Sequence, residues 1–300
     1  MVELVECVPN FSEGRRPDVI EAIVAAARSV PGVRVLGTHS DPDHNRTNLT
    51  YVAPPAAALE SGFAVVQEAV RRIDLRRHTG KHPRMGALDV FPFVPLGDVP
   101  MTRCVDLARA LGQRVAEELH VPVYFYEEAA SNQERRSLEN IRGKGFEELR
   151  DAIATNPDRA PDLGPHRVHE AAGAIAIGAR QFLIAFNFYL STTDPQVAKM
   201  IARRLRASSG GLRYVKALGL EMAGTGRTQV AINLTNFRAS SIVTAMDLIR
   251  AEAARHGASV THSELVGLIP MDAMLDAAAA FLQLHKFEPD QVLERRLWEQ

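Results

Sequence analysis

At 300 residues the chain exceeds the usual size of a single domain, so it has room for two cores and needs no disulfide staples. Lysine and arginine number 35 against 36 aspartate and glutamate, a balance that offers no global field to nucleic acid or to an anionic membrane. Its two cysteines, Cys7 and Cys104, are too few and too far apart for a disulfide framework or a zinc knuckle, which points to a reducing compartment and to buried thiols.

The chain opens with MVELVECVPN, acidic where a signal peptide would be basic, and no apolar stretch is long enough to span a bilayer; a cytoplasmic protein is expected. Residues 3 to 8 read as a strand, and Pro17 then opens a helix that ends near Val30, before Pro31 and Gly32. A strand pair is predicted at about 33 to 38 and 47 to 53. A helix follows on which Leu59, Phe63, Val66, Val70 and Ile73 share a face. A strand near 88 to 95, a helix with Leu107, Leu111, Val115 and Leu119 spaced by four, and a strand at 121 to 126 complete the first half.

The second half starts with the apolar, aromatic run from Gln181 to Tyr189. A helix after Asp194 and Pro195 then places Val197, Met200, Ile201 and Leu205 on one face. Strands at Tyr214 to Glu221 and Thr228 to Leu234 flank Ala223, Gly224, Thr225 and Gly226, whose glycines suit a turn with positive φ angles. A helix with Ile242, Met246, Ile249 and Ala253, a strand from Ser263 to Ile269 and a helix from Pro270 to about Leu284 close the chain. The order β-α-β-β-α-β thus occurs twice, which predicts an α+β protein of two tandem ferredoxin-like α/β sandwiches with antiparallel sheets, in domains 1–178 and 179–300. A single doubly wound parallel sheet competes with this, but the short connection at 222 to 227 favours a hairpin over a crossover. The polar segment between the halves, about 127 to 172, is too long for a simple linker, and part of it is expected to line an inter-domain crevice.

Chemistry-bearing residues concentrate in two loops. One runs from His78 to Asp89, with His82 and Arg84 among glycines that let backbone approach a ligand; the other, His39 to Thr47, holds Asp41, Asp43, His44 and Arg46. A solvated polar loop and a capped turn are the plainer readings of the two. His78 and His82 are four apart and His166, His169 and Glu170 add ligand types. Gly80 and Pro83 nevertheless break helical continuity and no HExxH order exists, so no metal is expected. Aromatic residues Phe182, Phe186, Phe188 and Tyr189 could mark an RNA-binding sheet, but most share the parity of a core-facing set and lack basic companions.

Several strings, in order, resemble the formiminotransferase domain family over nearly the whole chain. They are Val5 to Gly14, Asn45-Arg46-Thr47, His82-Pro83-Arg84-Met85-Gly86-Ala87-Leu88-Asp89-Val90, Arg135 to Leu138, Phe182 to Asn187 and Leu265 to Pro270. The resemblance implies a tandem ferredoxin-like fold, a homodimer, and transfer of a formimino group from N-formimino-L-glutamate to N5 of tetrahydrofolate, the co-substrate, in histidine degradation. The match ends near the end of the family domain, so no cyclodeaminase is expected. The family's catalytic histidine falls on His82, where an imidazole of ordinary pKa near 6.5 suits proton transfer between two nitrogens.

Arg46 and Arg84 are the candidate carboxylate anchors. The family's folate contacts carry over to Gly164, Pro165, Gly173, Leu205 and Arg206. Mammalian members have an aspartate at the position of His39, which leaves Asp41 or Asp43 to supply a carboxylate; His166, Arg167 and His169 also replace neutral residues of the folate segment. Formyl transfer between N-formylglutamate and tetrahydrofolate is the alternative within the class, and a folate-binding protein without catalysis the alternative outside it.

Overall fold

The computed structural model describes residues 3–80, 83–222 and 226–298, and the chain divides into two compact units, residues 1–180 and 181–300. In the first unit the elements run β1 (Val5–Cys7), β2 (Asn10–Phe11), α1 (Pro17–Arg28), β3 (Arg34–Asp41), β4 (Arg46–Ala53), α2 (Pro55–Arg72), β5 (Leu88–Pro95) and α3 (Met101–Glu118). They continue with β6 (Val123–Glu127), α4 (Leu138–Arg142), α5 (Phe146–Ala152) and β7 (Ile175–Ala179). Prolines at the first turns of α1 and α2 start those helices, where a missing N–H costs nothing.

The seven-stranded sheet places β4 beside β3, then β1 and β2 end to end, then β5, β7 and β6. The pairings of β1 and β2 with β4 and β5, and of β3 with β4, are antiparallel. Those of β7 with β5 and β6 are parallel. The arrangement β3-β4-β1-β5 is the split β-α-β order of a ferredoxin-like sandwich. Strand β7 is a departure from the sequence expectation, which has no strand there. Its residues are buried throughout, so the run Ile-Ala-Ile-Gly-Ala carries no alternation to mark it.

One face of this sheet packs on α1, α2 and α3 around Cys7, Phe11, Ile23, Leu49, Tyr51, Phe91, Phe93 and Leu111, all inaccessible to solvent. Both cysteines are buried, and burial pushes the Cys104 thiol up to about 12. The opposite face carries a smaller core of Met85, Val90, Tyr124, Tyr126, Ile141 and Leu149, closed by α4 and α5. Much of the polar segment at 127 to 172 is therefore structural, with two short helices that cover the sheet.

The second unit contains β8 (Ile184–Leu190), α6 (Pro195–Leu205), β9 (Val215–Glu221), β10 (Thr228–Leu234), α7 (Ile242–Arg255), β11 (Val260–Val266), α8 (Met271–Leu282) and α9 (Leu293–Trp298). Its sheet order is β11-β8-β10-β9, antiparallel throughout, and it repeats the ferredoxin-like order. Asp194 caps α6 through the N–H of Gln196, and Ser241 caps α7 through that of Thr244. Phe188 lies in the core and Phe182 and Phe186 pack against it, which accounts for their parity. Strand β11 begins three residues earlier than the sequence indicates, because its Thr-His-Ser-Glu stretch is exposed and shows no apolar alternation. Of the predicted turn residues Ala223 to Gly226, Gly226 alone lies within the described residues; its φ is 63°. No helix among the described residues is long and apolar enough to cross a membrane.

Candidate active site

Three loops of the first unit converge at one end of its sheet: Ser12 to Arg16, the β3–β4 turn, and the stretch that leads into β5. Gly14 lets the first two touch. A Cβ there would lie 2.4 Å from the Asp41 carbonyl oxygen and 2.7 Å from the Arg46 nitrogen. The Gly14 N–H donates to Asn45 Oδ1 at 2.9 Å, and Thr47 Oγ1 donates to the Glu13 carbonyl. The third loop is joined to the turn by Asn45 as well. Asn45 Nδ2 donates to the Thr79 carbonyl at 3.0 Å, and His78 Nε2 donates to the Asn45 carbonyl at 3.0 Å. Arg15 adds bonds to the Pro42 carbonyl at 2.8 Å and to Thr79 Oγ1 at 3.3 Å. Gly80 seats directly on the turn, 2.3 Å separating the position of an added Cβ from the His44 carbonyl oxygen. Lys81 and His82 lie outside the described residues; Gly80 and Pro83 bracket them.

Beyond Pro83 the loop is held from a different side. Arg84 donates to both carboxylate oxygens of Glu147, at 3.1 and 2.8 Å, and to the His78 carbonyl at 3.2 Å, while its own carbonyl accepts from the Phe146 N–H at 2.7 Å. The hydrogen bond from Arg84 holds the Glu147 carboxyl below its usual range, against some desolvation. Ser12 then ties the loop back to the first one, through Oγ to the Gly86 carbonyl at 2.7 Å and N–H to the Ala87 carbonyl at 2.8 Å. A bulge ends the loop: Asn10 pairs with Val90 but Phe11 pairs with Leu88, so Asp89 is the extra residue. Its carboxylate, only 2 % exposed, accepts from the Met85 N–H at 2.8 Å and from Arg142 Nη2 of α4 at 2.7 Å.

Cross-strand register places the other sequence-selected residues. His39 lies opposite Asn48, and Asn48 opposite Asn10, while Asp41 lies opposite Arg46. With a side-chain period of two, His39, Asp41, Arg46, Asn48 and Asn10 belong to one face of the sheet. Arg46 donates through Nε and Nη2 to Asn10 Oδ1 at 3.1 and 2.5 Å, and desolvation pulls its pKa down to about 10 despite the favourable charge of Asp89. Asp41 turns to its own turn. Its carboxylate accepts from the N–H groups of Asp43 and His44 at 2.8 and 2.9 Å and meets His44 Nδ1 at 2.6 Å. Desolvation raises its pKa, but the bonds from His44 outweigh that and leave it lowered.

The segment carrying Gly164, Pro165 and Gly173 borders a cavity of about 670 Å³ in this same unit, lined by Arg76, His120, Phe146, Arg150, Pro165 and the run from Arg167 to Glu170. Three arginines face one glutamate there, although Arg76 already pairs with Glu170 at 2.6 Å. Phe146 belongs to the cavity wall and also bonds the Arg84 carbonyl, so the cavity adjoins Arg84. Gly173, with φ of 72°, pairs with His169 and approaches the Met85 carbonyl so closely that an added Cβ would stand 2.2 Å from it. Leu205 and Arg206 belong to the second unit. Leu205 is fully buried at the end of α6, so its side chain serves the core, and Arg206 Nε donates to Ser209 Oγ at 2.7 Å. Among the described residues no group of three or more histidine, cysteine, aspartate or glutamate side chains could hold a metal ion.

Sequence reading selects Arg46 and Arg84 but not Asn10, Asn45, Glu147 and Arg142, whose partners Arg46, Thr79, Arg84 and Asp89 are distant in sequence. Asn45 had one visible signal, its place in a tight turn between strands, where Asn tolerates the left-handed conformation it adopts at φ 52°.

Residues 4–180 match the formiminotransferase domain, N-terminal subdomain, and residues 185–294 match the formiminotransferase domain. A glutamate formimidoyltransferase of Thermoplasma acidophilum is 46% identical over 298 residues, which cover 99% of this chain and 98% of that protein. One from Streptococcus pyogenes is 40% identical over 298 residues, covering 99% of each. The formimidoyltransferase-cyclodeaminase of Rattus norvegicus is 42% identical over 292 residues, which cover 95% of this chain and 54% of the rat protein.

Proposed function

Because the chain belongs to the formiminotransferase family, we propose that it is a glutamate formimidoyltransferase that moves the formimino group of N-formimino-L-glutamate to N5 of tetrahydrofolate, in histidine degradation. The observation that carries this reading is end-to-end similarity, at 46% and 40% identity, to two proteins of that name, each covered to 98% or more. Convergence of the three family strings on one end of the first sheet supports it.

In the reaction N5 attacks the formimino carbon and loses its proton, while the bond from that carbon to the glutamate nitrogen breaks and the nitrogen gains a proton. One imidazole, at His82, takes the first proton and returns it to the leaving nitrogen. Assistance of this kind is worth on the order of a hundred- to ten-thousandfold. Holding the two anionic substrates in register supplies roughly 7–11 kcal/mol more. Arg46 is the anchor for a donor carboxylate, since its guanidinium shares a sheet face with His39 and Asn48. Arg84, paired with Glu147, instead steadies the loop. The cationic cavity beside Pro165 receives the anionic part of the folate. The protein acts in the cytoplasm as a homodimer.

Purified protein mixed with tetrahydrofolate and either N-formimino-L-glutamate or N-formyl-L-glutamate, with products read by mass spectrometry, tests the reading. The expected product is 5-formiminotetrahydrofolate from the imino donor. Predominant 5-formyltetrahydrofolate would reassign the donor, and folate binding without either product would leave a binding protein.

A further inference from the structure

Asn45 is the point at which three segments otherwise distant in sequence are fastened together. It is buried, 7% exposed, and stands in a left-handed conformation with φ 52°. Its side chain uses both ends: the carbonyl oxygen accepts from Gly14 and the amide nitrogen donates to the Thr79 carbonyl. Its backbone carbonyl is taken as well, by His78 Nε2. Aspartate would present an acceptor to the Thr79 carbonyl, and glycine would keep the conformation but lose both side-chain bonds. Asparagine is the residue that satisfies all of these demands.

His78 is fitted to the same task. A carbonyl can only accept, so Nε2 carries the proton, and Nδ1 lies buried without a hydrogen-bond partner among the described residues. The ring is thus a neutral, single-purpose donor. Its backbone carbonyl also accepts from Arg84, so the two residues that bracket the loop are bonded to each other. Thr79 and Arg84, on either side of position 82 in the sequence, are thus both fixed.

We propose that Asn45, with His78 as its second fastener, is a positioning residue that clasps the loop bearing His82 to the β3–β4 turn and so sets the aim of that imidazole. The inference rests on the assignment of His82 above. Breaking the clasp lowers turnover through misalignment and leaves the affinity for tetrahydrofolate in place.

Four single variants and one double variant of the full chain test this: Asn45→Gly, His78→Ala, His78→Gln, His82→Ala, and Asn45→Gly combined with His82→Ala. Asn45→Gly and His78→Ala are expected to lower kcat roughly ten- to a hundredfold, with KM for tetrahydrofolate within about twofold. His78→Gln, which keeps an N–H donor, is expected to recover most of the loss. In the His82→Ala background Asn45→Gly is expected to cost nothing further, since a group that acts through His82 has nothing left to aim. An unchanged kcat for Asn45→Gly, an equal loss with and without His82, or no difference between His78→Gln and His78→Ala would each overturn the clasp. Should Asn45→Gly fail to fold, the two His78 variants decide. Full activity of His82→Ala would overturn the parent assignment, a result distinguishable because it does not depend on Asn45.

Discussion

The two units share one strand order and differ in what their loops do. In the first, the hairpin between β3 and β4 is pinned by Gly14, Asn45, His78 and Arg15 to two other loops, and Asp89 is drawn out of β5 by a bulge. In the second, the hairpin between β9 and β10 closes on a backbone bond from Met222 N–H to the Arg227 carbonyl at 2.8 Å. The same ferredoxin-like order therefore serves as a scaffold in both, and in the first its connections carry a network of polar bonds among the described residues.

Ion pairs sharpen this contrast most. Arg142 and Asp89 are 12% and 2% exposed, so removing one partner strands a charge in the interior. Arg142→Met should cost about 3–5 kcal/mol by urea unfolding. Arg238, 70% exposed and paired with Asp272 in the second unit, should cost at most about 1 kcal/mol as Arg238→Ala. Equal costs would break the comparison.

Glycines give the next largest difference. At Gly14 all three obstacles to a Cβ are backbone atoms, so Gly14→Ala should cost about 3 kcal/mol and depress turnover. Gly226 has nothing within 4 Å of the same position among the described residues, and its φ of 63° alone makes Gly226→Ala cost about 1 kcal/mol with activity kept. Thermal melts and initial rates of the two variants would check this.

The smallest effect concerns pH. Burial holds the His78 imidazole below its ordinary pKa; the Asn45 carbonyl and Glu13 oppose this, and Arg84 and Arg15 reinforce it. The unfolded chain takes up a proton at about pH 6.5 and the folded chain only at lower pH. Stability from this group is thus complete above about pH 6.5 and declines as pH falls toward the folded value. Urea midpoints measured across that interval should show a shallower acid decline for His78→Gln than for the natural chain.

How much of this was legible in the sequence follows from the range of the interactions. Strands β5 and β10 sit where their apolar patterns place them, at Leu88–Pro95 and Thr228–Leu234, because an apolar run rich in large side chains and bounded by turn residues is a local signal. Strand β7 shows no sequence signal because its five residues, Ile-Ala-Ile-Gly-Ala, are mostly small and do not alternate, and β11 is displaced since much of it is exposed. In the site, His39, Asp41 and Arg46 share a face through strand parity and the β3–β4 register, whereas the sequence reading ends one strand at 38, begins the next at 47 and leaves all three in the turn. The commitment of Asp41 to His44, of Arg84 to Glu147 and of Asn45 to Thr79 was not legible, because each depends on which hydrogen bond a polar side chain selects in the folded chain.

The central claim is that a proton travels between two nitrogens through His82. Its most direct test is the rate of 5-formiminotetrahydrofolate formation by His82→Ala at saturating donor and tetrahydrofolate, with the fold checked by circular dichroism. A rate lower by about a hundred- to ten-thousandfold with the fold intact is predicted; a rate within a few fold of the natural chain would contradict the account.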